Sequence, residues 1–292
     1  MFESIKELST SYPLNTVCHV LNVNKSSYLY WLNTGLSNES IKLEFFQLVI
    51  QVYAEFNGIY GAPKITFVLK ARGIFCSVSK VSRTMHILGI KSIVSKHFPT
   101  KKSRITDKEK SLIINLIKDL DIVRLNQVWT TDVTYIKTLH EGSFYLISFL
   151  DAFSKKVIAW GLYNNQQTDK IIATLNVAVS SRKPSPGLIV HSDKGSQFRS
   201  HIYRAFLSKH NFIFSYTSLD HSCDENAAQE SFHASLKKEC LYLNDIYTFN
   251  DAYKLIFDYI EGFYNPSRIH SSIGYLSPND FEKIHKNTKN PL

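Results

Sequence analysis

The chain has 292 residues, carries 34 Lys and Arg against 25 Asp and Glu for a formal net charge of +9, and is 44% hydrophobic. That length suits one domain of about 150 residues with smaller modules attached, and that apolar content excludes disorder over most of the chain. No apolar run reaches the roughly 18 residues of a membrane span, and the opening MFESIKELSTSYPL has no basic segment ahead of an apolar core, so a cytoplasmic protein with no membrane partner is expected.

The charge is uneven. Residues 1–126 hold 17 basic against 9 acidic side chains, whereas residues 127–292 hold 17 against 16; from Phe56 to Thr106 there are ten basic residues and no acid. A one-signed stretch of this kind can bind a polyanion by neutralising phosphates and releasing counterions. Cys18, Cys76, Cys223 and Cys240 show neither CxxC spacing nor paired His, which indicates free thiols rather than a zinc site or a disulfide framework.

Residues 1–36 read as two short helices around the polar turn Asn24-Lys25-Ser26-Ser27, with the aromatics Tyr28, Tyr30 and Trp31 suited equally to packing and to nucleic-acid stacking. Residues 40–57 have the apolar spacing of an amphipathic helix, which Gly58 and Gly61 end. Helices over Ala62–Lys70 and Ser79–Gly89 follow, joined by a turn; Val81, Met85 and Leu88 face inward, and Lys80, Arg83, Ser82 and Thr84 are candidate DNA contacts. Helix, short turn and basic second helix is the arrangement that lays a recognition helix in the major groove, although ordinary three-helix bundles share the spacing. Residues 93–124 predict a basic linker, with Lys101 and Lys102 able to follow a DNA backbone, and a helix over Asp107–Leu120.

From residue 127 the pattern changes to strands. Three apolar runs, around Asp132, at Phe144–Leu150 and at Lys156–Tyr163, predict an antiparallel meander. Helix, strand, helix and strand follow at 168–181, 188–193, 200–210 and 211–215, a mixed α/β layer order in which the first and fourth strands can be neighbours. Asp132 falls in the first strand and Asp193 closes the fourth before Gly195. Glu230 opens a helix with Phe232 and Leu236 inward and Lys237 two turns along on the same face. Asp151 also ends an apolar run, but its DAFSK setting suits an Asp that caps its own turn, and His191 suits a packed strand end.

Three carboxylates that converge make an oxygen-rich site for hard divalent ions such as Mg²⁺, and two such ions clamp the attacking and leaving oxygens of an in-line phosphoryl displacement. Three blocks carry the acids: WTTDVTYI, HSDKGSQF and NAAQESFHASLKKE. They closely resemble the catalytic blocks of retroviral-integrase-like transposases of the insertion-sequence-three family. YNPSRIHSSIGYLSPNDF resembles that family's terminal block, and residues 59–90 its helix-turn-helix segment.

The resemblance implies a ribonuclease H-like mixed sheet flanked by helices, preceded by an all-α helix-turn-helix region. It implies a DDE triad of Asp132, Asp193 and Glu230 holding two Mg²⁺, for which Mn²⁺ can substitute, and DNA cleavage and strand transfer. Lys194, Gln197, Lys237 and Arg268 are further candidate DNA contacts. The expected domains are an N-terminal helical segment (1–36), a DNA-binding domain (40–92), a linker (93–124), a catalytic domain (125–285) and a tail (286–292). Expected partners are double-stranded DNA, further copies of the chain and an upstream reading-frame product, in association with a bacterial nucleoid. Two departures, Glu225 where the family has Asp and Gln229 where it has a small residue, leave open a catalytically inactive DNA-binding regulator; a nuclease that cuts without joining is also compatible with the acids.

Overall fold

In the computed structural model, residues 1–95, 115–217 and 226–287 are described, and the chain divides into two units, Met1–Ser95 and Lys96–Leu292. The first unit begins with α1 (Phe2–Leu8), α2 (Leu14–Val20) and α3 (Lys25–Glu55). Asn24 caps α3 by accepting the Ser26 N–H at 2.8 Å. Ile5, Val17, Cys18 and Tyr28 form a small buried core, on which Phe2 and Trp31 stack with ring centroids 5.4 Å apart. The aromatics at this end therefore pack against one another.

The two helices expected over residues 25–57 are one continuous α3. The stretch around Gly35 is rich in Ser, Asn and Thr, but each of these costs only a fraction of a kcal/mol relative to Ala, a lone glycine about 1 kcal/mol, and no Pro is present to end the helix. Next come α4 (Ala62–Ala71), with Pro63 in its first turn, and α5 (Val78–Ile87), capped by Ser77. Gly73, at φ +81, makes the turn between them in a backbone region that side chains disfavour. Val49, Val52, Ile65, Leu69 and Val81 are fully buried in this unit.

The second unit is built on a five-stranded sheet of order β3-β2-β1-β4-β5. Its strands are β1 (Val128–Lys137), β2 (Ser143–Asp151), β3 (Val157–Tyr163), β4 (Ile189–Ser192) and β5 (Ile213–Tyr216). The first three form the expected antiparallel meander, and β4 and β5 run parallel to β1. The helix expected over 107–120 falls partly outside the described residues, and the described remainder is a turn: the Asn115 side chain accepts the Ile117 N–H at 3.0 Å, competing with helix formation.

Alternation along the strands sends neighbouring side chains to opposite faces. Trp129, Ile147, Phe149 and Val190 pack with Ile171 and Leu175 of α6 (Thr168–Arg182) and with Tyr203 and Leu207 of α7 (His201–Lys209). Ile136, Leu146 and Leu150 pack with Phe232 and Leu236 of α8 (Ala227–Glu239) and with Ala252 and Ile256 of α9 (Phe249–Phe257). Asp132 and Ser148, which pair across β1 and β2, have the parity of this α8 face.

A capping box between Thr248 and Asp251 starts α9, which runs into a π-helical segment, Asp258–Tyr264, before the final α10 (Pro278–Asn287). The terminal block wraps the sheet edge. Asn265 exchanges two hydrogen bonds of 3.0 Å with the Val157 backbone, and Glu282 is buried between Arg182 and Ser154.

Candidate active site

The pairing Thr130↔His191 between β1 and β4, continued two residues along both chains, sets Asp132 level with Asp193. The Asp193 carboxylate is exposed to solvent at its rim, yet the surrounding protein strips hydration from it and raises its pKa. The Gly195 N–H, donated to Oδ1 at 2.9 Å, opposes that rise, and the charge of Asp132 adds to it. A Cβ on Gly195 would lie 3.0 Å from Asp193 Oδ1 and 2.7 Å from Gln197 Nε2, so a side chain there would push both of these groups aside.

Asp132 accepts the Val133 N–H at 2.8 Å through Oδ1, and its Oδ2 lies 3.4 Å from His233 Nδ1. Lys237, on the same helix as His233, is half-buried with its ammonium 5.4 Å from the centre of the Tyr135 ring. Burial lowers its pKa, and the Asp132 charge partly restores it.

Glu230 sits exposed in the first turn of α8. The residue before it, Gln229, is fully buried and donates from Nε2 to Thr130 O at 2.8 Å and to Ser148 O at 3.0 Å, which ties the start of α8 to β1 and β2. Its Oε1 accepts the Ser148 hydroxyl at 3.0 Å, and the same Ser148 Oγ is 3.3 Å from His233 Nε2. The structure thus brings Asp132 and Asp193 into electrostatic contact. Among the described residues no three His, Cys, Asp or Glu side chains are gathered as a metal-holding group, so the three acids do not form one tight cluster here.

The chemistry of the donors nonetheless fits a divalent cation. Two carboxylates repel each other, one of them poorly hydrated, and a hard cation relieves both effects. Asp151, by contrast, is fully buried and accepts N–H groups from Asn126 at 2.7 Å, Phe153 at 2.9 Å and Ser154 at 3.1 Å, the turn-capping role its setting suggested. His191 is likewise a buried strand-end residue, with Nδ1 2.9 Å from Ser215 Oγ.

Of the candidate DNA contacts, Lys194 and Gln197 are half-buried in the turn after Asp193, where Gln197 joins Asn164, Gln167 and Ser196 around an open cavity of about 480 Å³. Lys80 and Arg83 are exposed on α5; the Lys80 ammonium lies 4.0 Å from the centre of the Phe45 ring. Thr84 faces the other way and is buried, which corrects its expected contact. Lys101 and Lys102 lie outside the described residues.

Arg268 also needs correction as a surface contact. Its guanidinium is buried, donating to Glu239 at 2.6 and 2.8 Å and to Ser235 Oγ at 2.9 Å. Ser148 and His233 carry no signal in the motifs, and Gln229 stands out there only as a departure from the family pattern. Gln229 and His233 are polar groups four apart on the inward face of α8, interleaved with Phe232 and Leu236, and that spacing was the available signal.

A mixed sheet with one carboxylate within β1 and another directly after the adjacent parallel β4, and helices on both faces, defines a ribonuclease H-like integrase core. Residues 123–221 and 230–285 match integrase core domain families, and residues 40–98 match an HTH-like domain. The chain is 35% identical to the transposase for insertion sequence element IS904 of Lactococcus lactis, over 85% of this chain and 97% of that protein. It is 31% identical to the transposase InsF for insertion sequence IS3A of Escherichia coli, over 95% and 96% of the two chains. Among solved structures it is similar to the HTLV-2 integrase catalytic core domain, at 18% identity and a TM-score of 0.41, covering 55% of this chain and 96% of that one. The chain belongs to the insertion-sequence-three family of transposases.

Proposed function

We propose that this transposase cleaves and joins DNA at the ends of its own insertion sequence, with Asp132, Asp193 and Glu230 as the acids that hold two Mg²⁺ ions, or Mn²⁺ in their place. The observation that carries this reading is the placement of Asp132 within β1 and of Asp193 directly after the neighbouring parallel β4, near enough for the charge of Asp132 to raise the Asp193 pKa. When bound, such ions supply the charge that stabilises the attacking and leaving oxygens of an in-line displacement. The oxygen of a water or a DNA 3′ hydroxyl forms the new bond to phosphorus, and the bond to the departing 3′ oxygen breaks.

The chain's own part in this reading is to bind and orient. Lys237, Lys194 and Gln197 would grip phosphates around the acids, while Lys80 and Arg83 of α5 meet an element end in the major groove. The exposure of both α5 residues, and the match of residues 40–98 to an HTH-like domain, support that role. Boundaries near residues 40–92 and 125–285 for the DNA-binding and catalytic domains, assembly of several copies on DNA, cooperation with an upstream reading-frame product and residence on the nucleoid belong to the same proposal.

One observation favours a second reading, a catalytically inactive regulator: among the described residues the three acids are not gathered into one metal-holding group. Joining of a labelled element end, taken from the DNA flanking the gene, to a plasmid with Mg²⁺ separates the two. Joining by the wild type that Glu230→Gln abolishes, with DNA binding retained, is the expected result. Binding without joining by either protein, even with the upstream product added, overturns it in favour of the regulator.

A further inference from the structure

The polar groups buried beneath α8 are an unusual thing to place under an active-site helix, because each must find partners there or cost stability. Gln229 finds three. Its two amide N–H groups go to the carbonyls of Thr130 and Ser148, which fixes which end of the amide is oxygen. Oε1 must then accept from the Ser148 hydroxyl, so the Ser148 oxygen is left to accept from His233 Nε2. The other ring nitrogen of His233 faces Asp132 Oδ2 at 3.4 Å.

The hydrogen-bonded path therefore starts next to Glu230, crosses β2 at the residue paired with Asp132, and ends on His233, whose ring meets the Asp132 carboxylate at 3.4 Å. Each member is rigidly seated: Ser148 and Gln229 are fully buried and His233 is 7% exposed. Among the described residues, Gln229 and His233 are the members of the first two turns of α8 with hydrogen bonds to β2, and the loop before the helix, residues 218–225, lies outside the described residues.

We infer that Gln229 is a positioning residue: through Ser148 and His233 it fixes the first turns of α8 on β1 and β2 and so sets where Glu230 and Asp132 stand relative to each other. The inference rests on the proposed metal-binding role of those two acids. Groups that orient ligands without touching the ion matter roughly 10–100-fold in metal affinity when removed.

The test is calorimetric titration of the full chain with Mn²⁺, together with thermal melting and binding to a DNA duplex. Wild type should bind Mn²⁺ and Glu230→Gln should weaken it; Glu230→Gln binding like wild type would overturn the metal-site reading itself. With that established, Gln229→Met, close in volume, should lose about tenfold or more in Mn²⁺ affinity while duplex binding stays within twofold. Unchanged Mn²⁺ affinity in Gln229→Met would overturn the positioning role and leave the metal site standing.

Should Gln229→Met fail to fold, Ser148→Ala decides, because it removes the hydroxyl between Gln229 Oε1 and His233 Nε2 and keeps both backbone carbonyls that Gln229 donates to. Mn²⁺ binding weakened by about tenfold or more in Ser148→Ala supports the inference, and unchanged binding overturns it.

Discussion

Glu239, at the end of α8, receives the Arg268 guanidinium on both oxygens, at 2.6 Å on Oε1 and 2.8 Å on Oε2, and takes the Tyr259 hydroxyl at 2.7 Å as well. The pair is buried and locks the terminal block against the helix that carries Glu230. Removing one member strands the other's charge in a dry interior, whereas removing both does not. Arg268→Met should cost about 3–5 kcal/mol in urea unfolding. The double variant Arg268→Met with Glu239→Leu should recover most of that loss.

A methyl group at Gly195 would press on Asp193 Oδ1 from 3.0 Å. Gly195→Ala should therefore leave the melting temperature within a few degrees of wild type but weaken Mn²⁺ binding and strand transfer by about tenfold or more. Calorimetry and the joining assay read the two effects separately.

Arg83 is exposed on α5 and belongs to the proposed recognition helix. Arg83→Ala should weaken binding to element-end duplex, measured by fluorescence anisotropy across a salt series. A phosphate contact predicts equal weakening for all sequences and a salt slope shallower by about 1; a base contact predicts a loss of about 1–3 kcal/mol confined to the cognate end.

Burial pushes the Glu282 pKa up, but hydrogen bonds and charge from Arg182, with help from Lys156 and Ser154, outweigh it and hold the carboxyl below its usual value. A carboxyl whose folded pKa is depressed contributes stability above its unfolded value of about 4.3 and loses it as pH falls through the lower folded value. The wild type should lose stability steadily below about pH 4. Glu282→Gln should be less stable near neutrality and show a flatter acid limb in pH-dependent urea unfolding.

The sheet was legible in the sequence because β1, β2 and β3 announce themselves by alternation and by β-branched and aromatic content, and the βαβ order after them leaves few ways to add β4 and β5. Asp132 and Asp193 stood out for the same reason, each at a definable place on a strand. The unbroken α3 was not legible, because a polar stretch with one glycine looks like a turn until packing at both ends holds the helix through it. Arg268 was misjudged because a basic residue between Pro266 and His270 reads as surface; only the distant Glu239, 29 positions back, shows that it is interior. Gln229 was noticed as a departure, yet its partners on β1 and β2 lie 99 and 81 residues away.

The strand order carries a consequence for how the chain comes off the ribosome. Asp132 lies on a strand that pairs at once with its hairpin neighbour but must wait about sixty residues for β4, and longer still for α8. Long-range parallel pairing is the slow part of folding. A polypeptide that stalls before residue 226 holds all five strands and still lacks Glu230, so under the proposed reading an unfinished copy is inert toward the chromosome of its own cell, and cutting power would arrive only once α8 has been made.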